Sequence, residues 1–187
     1  MNTLSFFTTL SLDWFNAWIP ACGMVLIQFV FMALHKEGGR RAVDTSWYTP
    51  TDRRNATLSS VLQVALLLLS LFVPLKGGAW FAVGATLFAL SLAVFLAAFY
   101  AYGTTPQGKT VTGGVYRLSR NPMYFAFFAG MIGTVIASAS LWLLLVNIPF
   151  MIYTHLIVLG EERYCEATYG EEYRLYKART PRYFLVV

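Results

Sequence analysis

The chain has 187 residues, of which 57% are hydrophobic, 17% aromatic and only 12% charged. A soluble domain averages about 25% charged residues, so this chain has too few charges to solvate a globule of its length. The composition excludes a disordered chain, a charged-tail protein and a disulfide scaffold, and it points to a bilayer. Cys22 lies in an apolar stretch and Cys165 in a distant polar one, so a structural disulfide is not expected.

Five stretches are long and apolar enough to cross a hydrocarbon core of about 30 Å. They cover residues 14–35, 57–75, 78–102, 121–139 and 141–160, and none contains Lys, Arg, Asp or Glu. Asp13 rather than a basic region precedes the first, which argues against a signal peptide. The second and third spans are joined around Lys76-Gly77. The fourth and fifth meet within 137–140, which predicts a tight helical hairpin. The connections 35–56 and 103–120 are long and polar, as is the tail 161–187, where a short cytoplasmic helix is expected.

Thirteen of the fourteen Lys and Arg residues fall on one side of this arrangement, and only Lys76 falls on the other. The positive-inside rule then places the N-terminus outside and the C-terminus in the cytoplasm. The same clustering accounts for the net charge of +5 without a nucleic-acid partner. The expected fold is an all-α integral membrane protein of five transmembrane helices, a single membrane domain over 1–187. Spans one to three occupy 1–102; a polar loop, the hairpin and the C-terminal segment occupy 103–187. Small residues recur every four positions at Ala85, Ala89, Ala93, Ala97 and Ala101, and again at Ala126, Gly130, Thr134 and Ser138. Such stripes are expected to bring helix backbones together in lipid.

Residues 103–110 match the phosphate-binding pattern G-x-x-x-x-G-K-[ST] letter for letter. That motif works between a strand and a helix. Here a membrane helix precedes it and Val111-Thr112-Gly113-Gly114 follows, so a plain flexible loop is expected.

Two clusters at the basic edge carry chemistry. The first runs from Gly113 to Tyr124 and contains Tyr116, Arg120, Asn121 and Pro122. Pro122 suits a first helical turn, and Asn121 is expected to cap it. The second is Glu161-Glu162-Arg163, directly after the fifth span. His155 lies seven residues before Glu162, on the same helix face, and Asn147, Pro149 and Tyr153 add polarity and an expected kink. No His/Cys set has metal-ligand spacing, and no serine sits in a nucleophile elbow. The hairpin should bring both clusters to one membrane face.

The pattern G-V-Y-R-x-x-R-N-P-x-Y, then an apolar stretch, then E-E-R-Y and spaced tyrosines resembles the integral-membrane methyltransferases. These include isoprenylcysteine carboxyl methyltransferases and phosphatidylethanolamine N-methyltransferases. The resemblance covers the last half of the chain. It implies a cytosol-facing S-adenosylmethionine pocket beside a lipid-accessible tunnel. By motif position, Gly114, Val115, Tyr116, Arg120, Asn121, Pro122, Tyr124, Glu161 and Glu162 would hold the cofactor. Glu162 or His155 would accept a proton from an amine substrate, and the N-terminus of the fourth span or Arg120 would hold the cofactor's carboxylate. Isoprenylcysteine enzymes usually carry His where this chain has Asn121, and Asn-Pro-Met-Tyr is familiar from phospholipid methyltransferases. A lipid head group such as a phospholipid amine is therefore the expected acceptor. A prenylated carboxyl or a thiol is the alternative within the superfamily, and a non-catalytic channel or assembly subunit is the alternative outside it. Polar residues gathered near one face, rather than along a path, speak against a channel.

Overall fold

In the computed structural model, which describes residues 3–184, seven α-helices follow one another. They are α1 (Thr3–Thr8), α2 (Trp18–Leu34), α3 (Lys36–Ala42), α4 (Pro50–Ser70), α5 (Ala79–Thr104), α6 (Pro122–Ser138) and α7 (Leu141–Arg179). A 3-10 turn at Gly114–Arg117 precedes α6, and no strand is present among the described residues. The five longest helices fall on the five apolar stretches, with different ends.

The second stretch becomes helical about two turns early, because Thr49-Pro50-Thr51-Asp52 forms a capping box. The Asp52 amide donates to Thr49 Oγ1 at 3.2 Å, and the Thr49 amide donates to Asp52 Oδ2 at 3.1 Å. Pro50 fills the first helical position, where no N–H is needed. The first stretch becomes helical late, at Trp18. Residues 15–17 instead pair with 73–75, through Ala17 N–H to Val73 O at 2.8 Å and Leu75 N–H to Phe15 O at 3.2 Å. Asn16 is fully buried there and donates to Ser11 O and Leu71 O, both at 2.7 Å.

The outward faces of the long helices are apolar. Leu26, Phe29, Val61, Leu68, Leu90 and Ile152 are all more than half exposed, a surface that suits lipid rather than water. Of the helices, α5 and α7 are long and apolar enough to cross a membrane; α2 and α6 are shorter apolar helices.

Helix α6 packs chiefly on α5, and α7 chiefly on α4. The α6–α7 connection is tight, with Ala139 left-handed (φ 47°) and Ser140 Oγ accepting from the Leu143 amide. The hairpin is thus close at its turn, while each arm takes its main partner elsewhere. The α6 stripe Ala126, Gly130, Thr134 and Ser138 is buried as expected. The α5 alanine stripe is not: Ala89, Ala93 and Ala97 are exposed, and Gly84, Ser91, Phe95, Ala98 and Tyr102 face inward. A strict four-residue step advances about 40° past a full turn each time; α6 is buried on most of its circumference and keeps such a stripe inside, whereas α5 is buried along one narrow face and the stripe winds off it. Alternating steps of three and four, as from Ser91 to Tyr102, stay on it. The closest approach is at Gly84 and Gly133. A Cβ on Gly84 would collide with the Ala137 amide and Gly133 O, and one on Gly133 would lie 2.8 Å from Gly84 O.

Pro149 is accommodated within α7, and the chain leaves helical geometry only at Gly170 (φ 56°, ψ −125°). The expected short C-terminal helix is therefore the part of α7 beyond Gly170. Residues 180–184 then double back toward the start of α6, where the Arg120 amide donates to Pro181 O at 2.8 Å.

Gly133→Val should lower stability by about 1–3 kcal/mol or more through overpacking. Gly77→Ala, where a Cβ meets nothing within 4 Å, should leave it unchanged. Thermal unfolding of the two variants in detergent checks the contrast.

Candidate active site

Asn121 stands at the N-cap position of α6 but makes no side-chain cap. Its Nδ2 donates instead to Glu162 Oε1 at 2.8 Å. Glu162 is 4% exposed and also accepts from two arginines. Arg120 Nε reaches Oε1 at 3.2 Å and Nη2 reaches Oε2 at 3.3 Å. Arg182 Nη2 reaches Oε2 at 3.1 Å. Arg120 Nη1 donates onward to Lys177 O at 3.1 Å and to Thr180 O. Tyr176 OH donates to Tyr116 O at 2.6 Å. One carboxylate thus ties the loop before α6, the end of α7 and the returning tail together. Burial alone would push the Glu162 carboxyl up, but the hydrogen bonds from Arg182 and Arg120 outweigh it and hold the carboxyl low.

Glu161 has a different environment. Its Oε2 accepts from Tyr124 OH at 2.9 Å. Burial pushes its carboxyl up, the Tyr124 hydrogen bond opposes that, and the neighbouring Glu162 charge adds to it; the net direction is upward. Two adjacent carboxyl groups just past the apolar part of α7 are therefore driven apart, one toward permanent charge and one toward holding a proton.

Two cavities meet at Glu161. The first, of about 830 Å³ including its open mouth, lies at the basic end of the bundle. Arg41, Thr110, Tyr116, Asn121, Tyr169 and Tyr173 are among its walls. The second, of about 1020 Å³ measured the same way, lies between the apolar helices, with Gln28, Ser59, Gln63, Phe127 and Thr154 among its walls. Tyr102, Met123, Tyr124 and Glu161 line both. Ser59 and Thr154 satisfy each other at 2.7 Å inside the second cavity.

Of the residues singled out from sequence, Tyr116, Arg120, Asn121, Tyr124, Glu161 and Glu162 line the first cavity. Gly114, Val115 and Pro122 are not among its walls. Gly114 is required by its backbone, at φ 58°. Val115 packs beside Tyr102 and Tyr116, and Pro122 is a buried helix start. His155 lines neither cavity; its Nδ1 lies 2.9 Å from Tyr183 OH. In the phosphate-binding look-alike, Gly103 and Thr104 belong to the last turn of α5, and no α-helix follows until Pro122. The remaining residues, 105–110, form a loop, as expected.

Sequence reading missed Arg41, Tyr48, Tyr102 and Arg182, and the two glutamines of the inner cavity. Gln28 and Gln63 had a signal, since a polar side chain inside an apolar stretch marks a candidate site. Arg41 and Arg182 had none, because each acts through a contact distant in sequence.

Glu162→Ala should leave the buried Arg120 guanidinium without its carboxylate partner and cost about 3–5 kcal/mol. The wild-type contribution is present above the unfolded carboxyl pKa of about 4.3 and is lost as pH falls through the lower folded value. Unfolding midpoints of both proteins between pH 7 and pH 3 should therefore converge only at the acid end.

Residues 74–172 match the family model described as phospholipid methyltransferase, over more than half of the chain. No curated protein and no solved structure matches the chain. The matched segment holds α5, α6 and α7 up to its break, and with them the Tyr124–Glu161 pair and both partners of the Arg120–Glu162 ion pair. The chain belongs to the phospholipid methyltransferase family.

Proposed function

We propose that the protein transfers a methyl group from S-adenosylmethionine to the amine of a membrane-lipid head group, at the cytoplasmic face of a five-span bundle. The observation that carries this reading is the meeting of a polar cavity and an intramembrane cavity at Tyr124 and Glu161. A soluble methyl donor and a lipid acceptor need two such entrances to one point.

The residues present fit the donor. The polar cavity combines tyrosine faces at Tyr102, Tyr116, Tyr169 and Tyr173 with carboxyl groups and a half-buried arginine, two of whose nitrogens are buried without a partner among the described residues. When bound, S-adenosylmethionine supplies a methyl group on a positively charged sulfur, open to in-line displacement. Tyrosine rings favour a cation, and the cavity walls would hold the reactants in line.

A head-group ammonium must lose a proton before its nitrogen lone pair can attack. Glu161 is the group placed to take that proton. It lines both cavities, its carboxyl is pushed upward, and Tyr124 OH orients one of its oxygens. Glu162 is poorly suited, since Arg120, Arg182 and Asn121 already occupy its oxygens. His155 is turned to Tyr183. Arg120 and Glu162 serve instead to position the loop and helix that form the cavity. A carboxylate acceptor would need no base and would leave Glu161 without a task, which favours the amine over isoprenylcysteine.

Vesicles of phosphatidylethanolamine should take up label from methyl-labelled S-adenosylmethionine, whereas vesicles of fully methylated phosphatidylcholine should not. Glu161→Gln should lower kcat by about 10²–10⁴. The wild-type rate should rise with pH through the raised pKa of Glu161, and that limb should vanish in the variant. Equal labelling of both lipids would remove the amine from the reading. For sidedness, in a background lacking Cys22 and Cys165, Gly77→Cys should react with an impermeant reagent on intact cells and Thr51→Cys only after permeation. The opposite pattern would invert the bundle.

A further inference from the structure

We propose that Arg41 and Thr110 form an anion-binding subsite in the polar cavity, built for a carboxylate or phosphate oxygen of one of the two reactants. The proposal rests on the methyl-transfer reading and adds to it the group that anchors the charged end of a ligand. Arg41 lies outside residues 74–172, so family membership does not supply it.

Arg41 is carried by α3, a short helix pressed against its neighbours at glycines. A Cβ on Gly39 would lie 2.6 Å from Met32 O, and one on Gly38 would lie 3.3 Å from the Gly103 Cα. This docking lays the Arg41 guanidinium over the Tyr102 ring, 4.0 Å from its centroid. Nη2 donates to Tyr102 O at 2.6 Å, in the last turn of α5. The remaining nitrogens, Nε and Nη1, are buried and have no partner among the described residues. Thr110 is 8% exposed, and its Oγ1 is likewise buried without a partner. Both residues line the same cavity, with exposed Lys109 also in its wall.

Buried donors without acceptors are costly, and a guanidinium cannot shed its charge to escape the cost. Two such groups in one cavity wall are explained by a ligand that supplies acceptors. The other arginine of that cavity is not available, since Arg120 is held by Glu162, Lys177 O and Thr180 O. Both reactants offer a matching anion next to a cation. The donor has an amino-acid carboxylate beside its ammonium, and an amine phospholipid has a phosphate beside its ammonium. Glu161 and Asp44, in the same walls, suit the cationic partner in either case.

The test uses the full chain in detergent, with Arg41→Gln and Thr110→Val. Calorimetric titrations with S-adenosylhomocysteine are compared with 5′-methylthioadenosine, which lacks the amino-acid end. KM for phosphatidylethanolamine is measured in mixed micelles. If the anion is the donor's carboxylate, Arg41→Gln weakens S-adenosylhomocysteine tenfold or more and leaves methylthioadenosine unchanged. If it is the lipid phosphate, both nucleosides bind as before and the lipid KM rises tenfold or more. If all three values stay at wild type in a variant that unfolds at the wild-type temperature, the subsite is refuted. Should Arg41→Gln not fold, Thr110→Val decides on the same comparison, because its hydroxyl holds nothing among the described residues. A wild-type chain that binds no S-adenosylhomocysteine overturns the methyl-transfer reading, and the subsite with it.

Discussion

The arrangement depends on one buried carboxylate. Glu162 meets Arg120 from the loop before α6, Asn121 at its N-cap position and Arg182 from the returning tail. Two guanidinium groups and one carboxylate leave a net positive charge, which the carbonyls of Lys177 and Thr180 soften through Arg120. A buried ion pair often adds little net stability compared with apolar packing. Its value here is geometric, because three segments far apart in sequence are fixed relative to one another, and two of them, the loop before α6 and α7, wall the polar cavity.

A second device fixes the other wall. Asp52 caps α4 and at the same time pairs with Arg163 of α7 at 2.9 Å. Gly160 makes this possible, since a Cβ there would lie 2.6 Å from Asp52 Oδ1. Helix α4 is thereby held against α7 one residue before Glu161. Its Ser59 and Gln63 then line the inner cavity, and Ser59 meets Thr154 of α7 there. The helices define the space by packing, but polar contacts at their basic ends set its register.

Much of this is legible in the sequence. Apolar stretches locate the long helices, because burial in lipid needs a continuous length of apolar side chains. The juxtaposition of Arg120-Asn121 with Glu161-Glu162 follows from a short connection between two helices. The losses have physical causes. Asn121 looks like a cap by residue type, but a buried carboxylate competes more strongly for its amide. The alanine stripe of α5 winds off the one narrow face that this helix buries, whereas α6, buried on most sides, keeps the same spacing inside. The tail at 180–184 bonds through backbone groups to the loop before α6, and such pairings leave no local pattern. Arg41 is basic among other basic residues of a polar loop, and only the docking of α3 separates it from them.

The adjacent glutamates show how one helix serves both structure and chemistry. Successive residues on an α-helix point about 100° apart, so Glu161 and Glu162 meet different partners although both line the polar cavity. Glu162 turns to the loop and tail, where arginines hold it charged. Glu161 turns to the junction of the cavities, where a phenol is its donor and burial opposes its charge. The fixed negative charge of Glu162 also raises the proton affinity of Glu161. The group that assembles the site thus tunes the group beside it, and a substitution at Glu162 reaches the junction through charge as well as through packing.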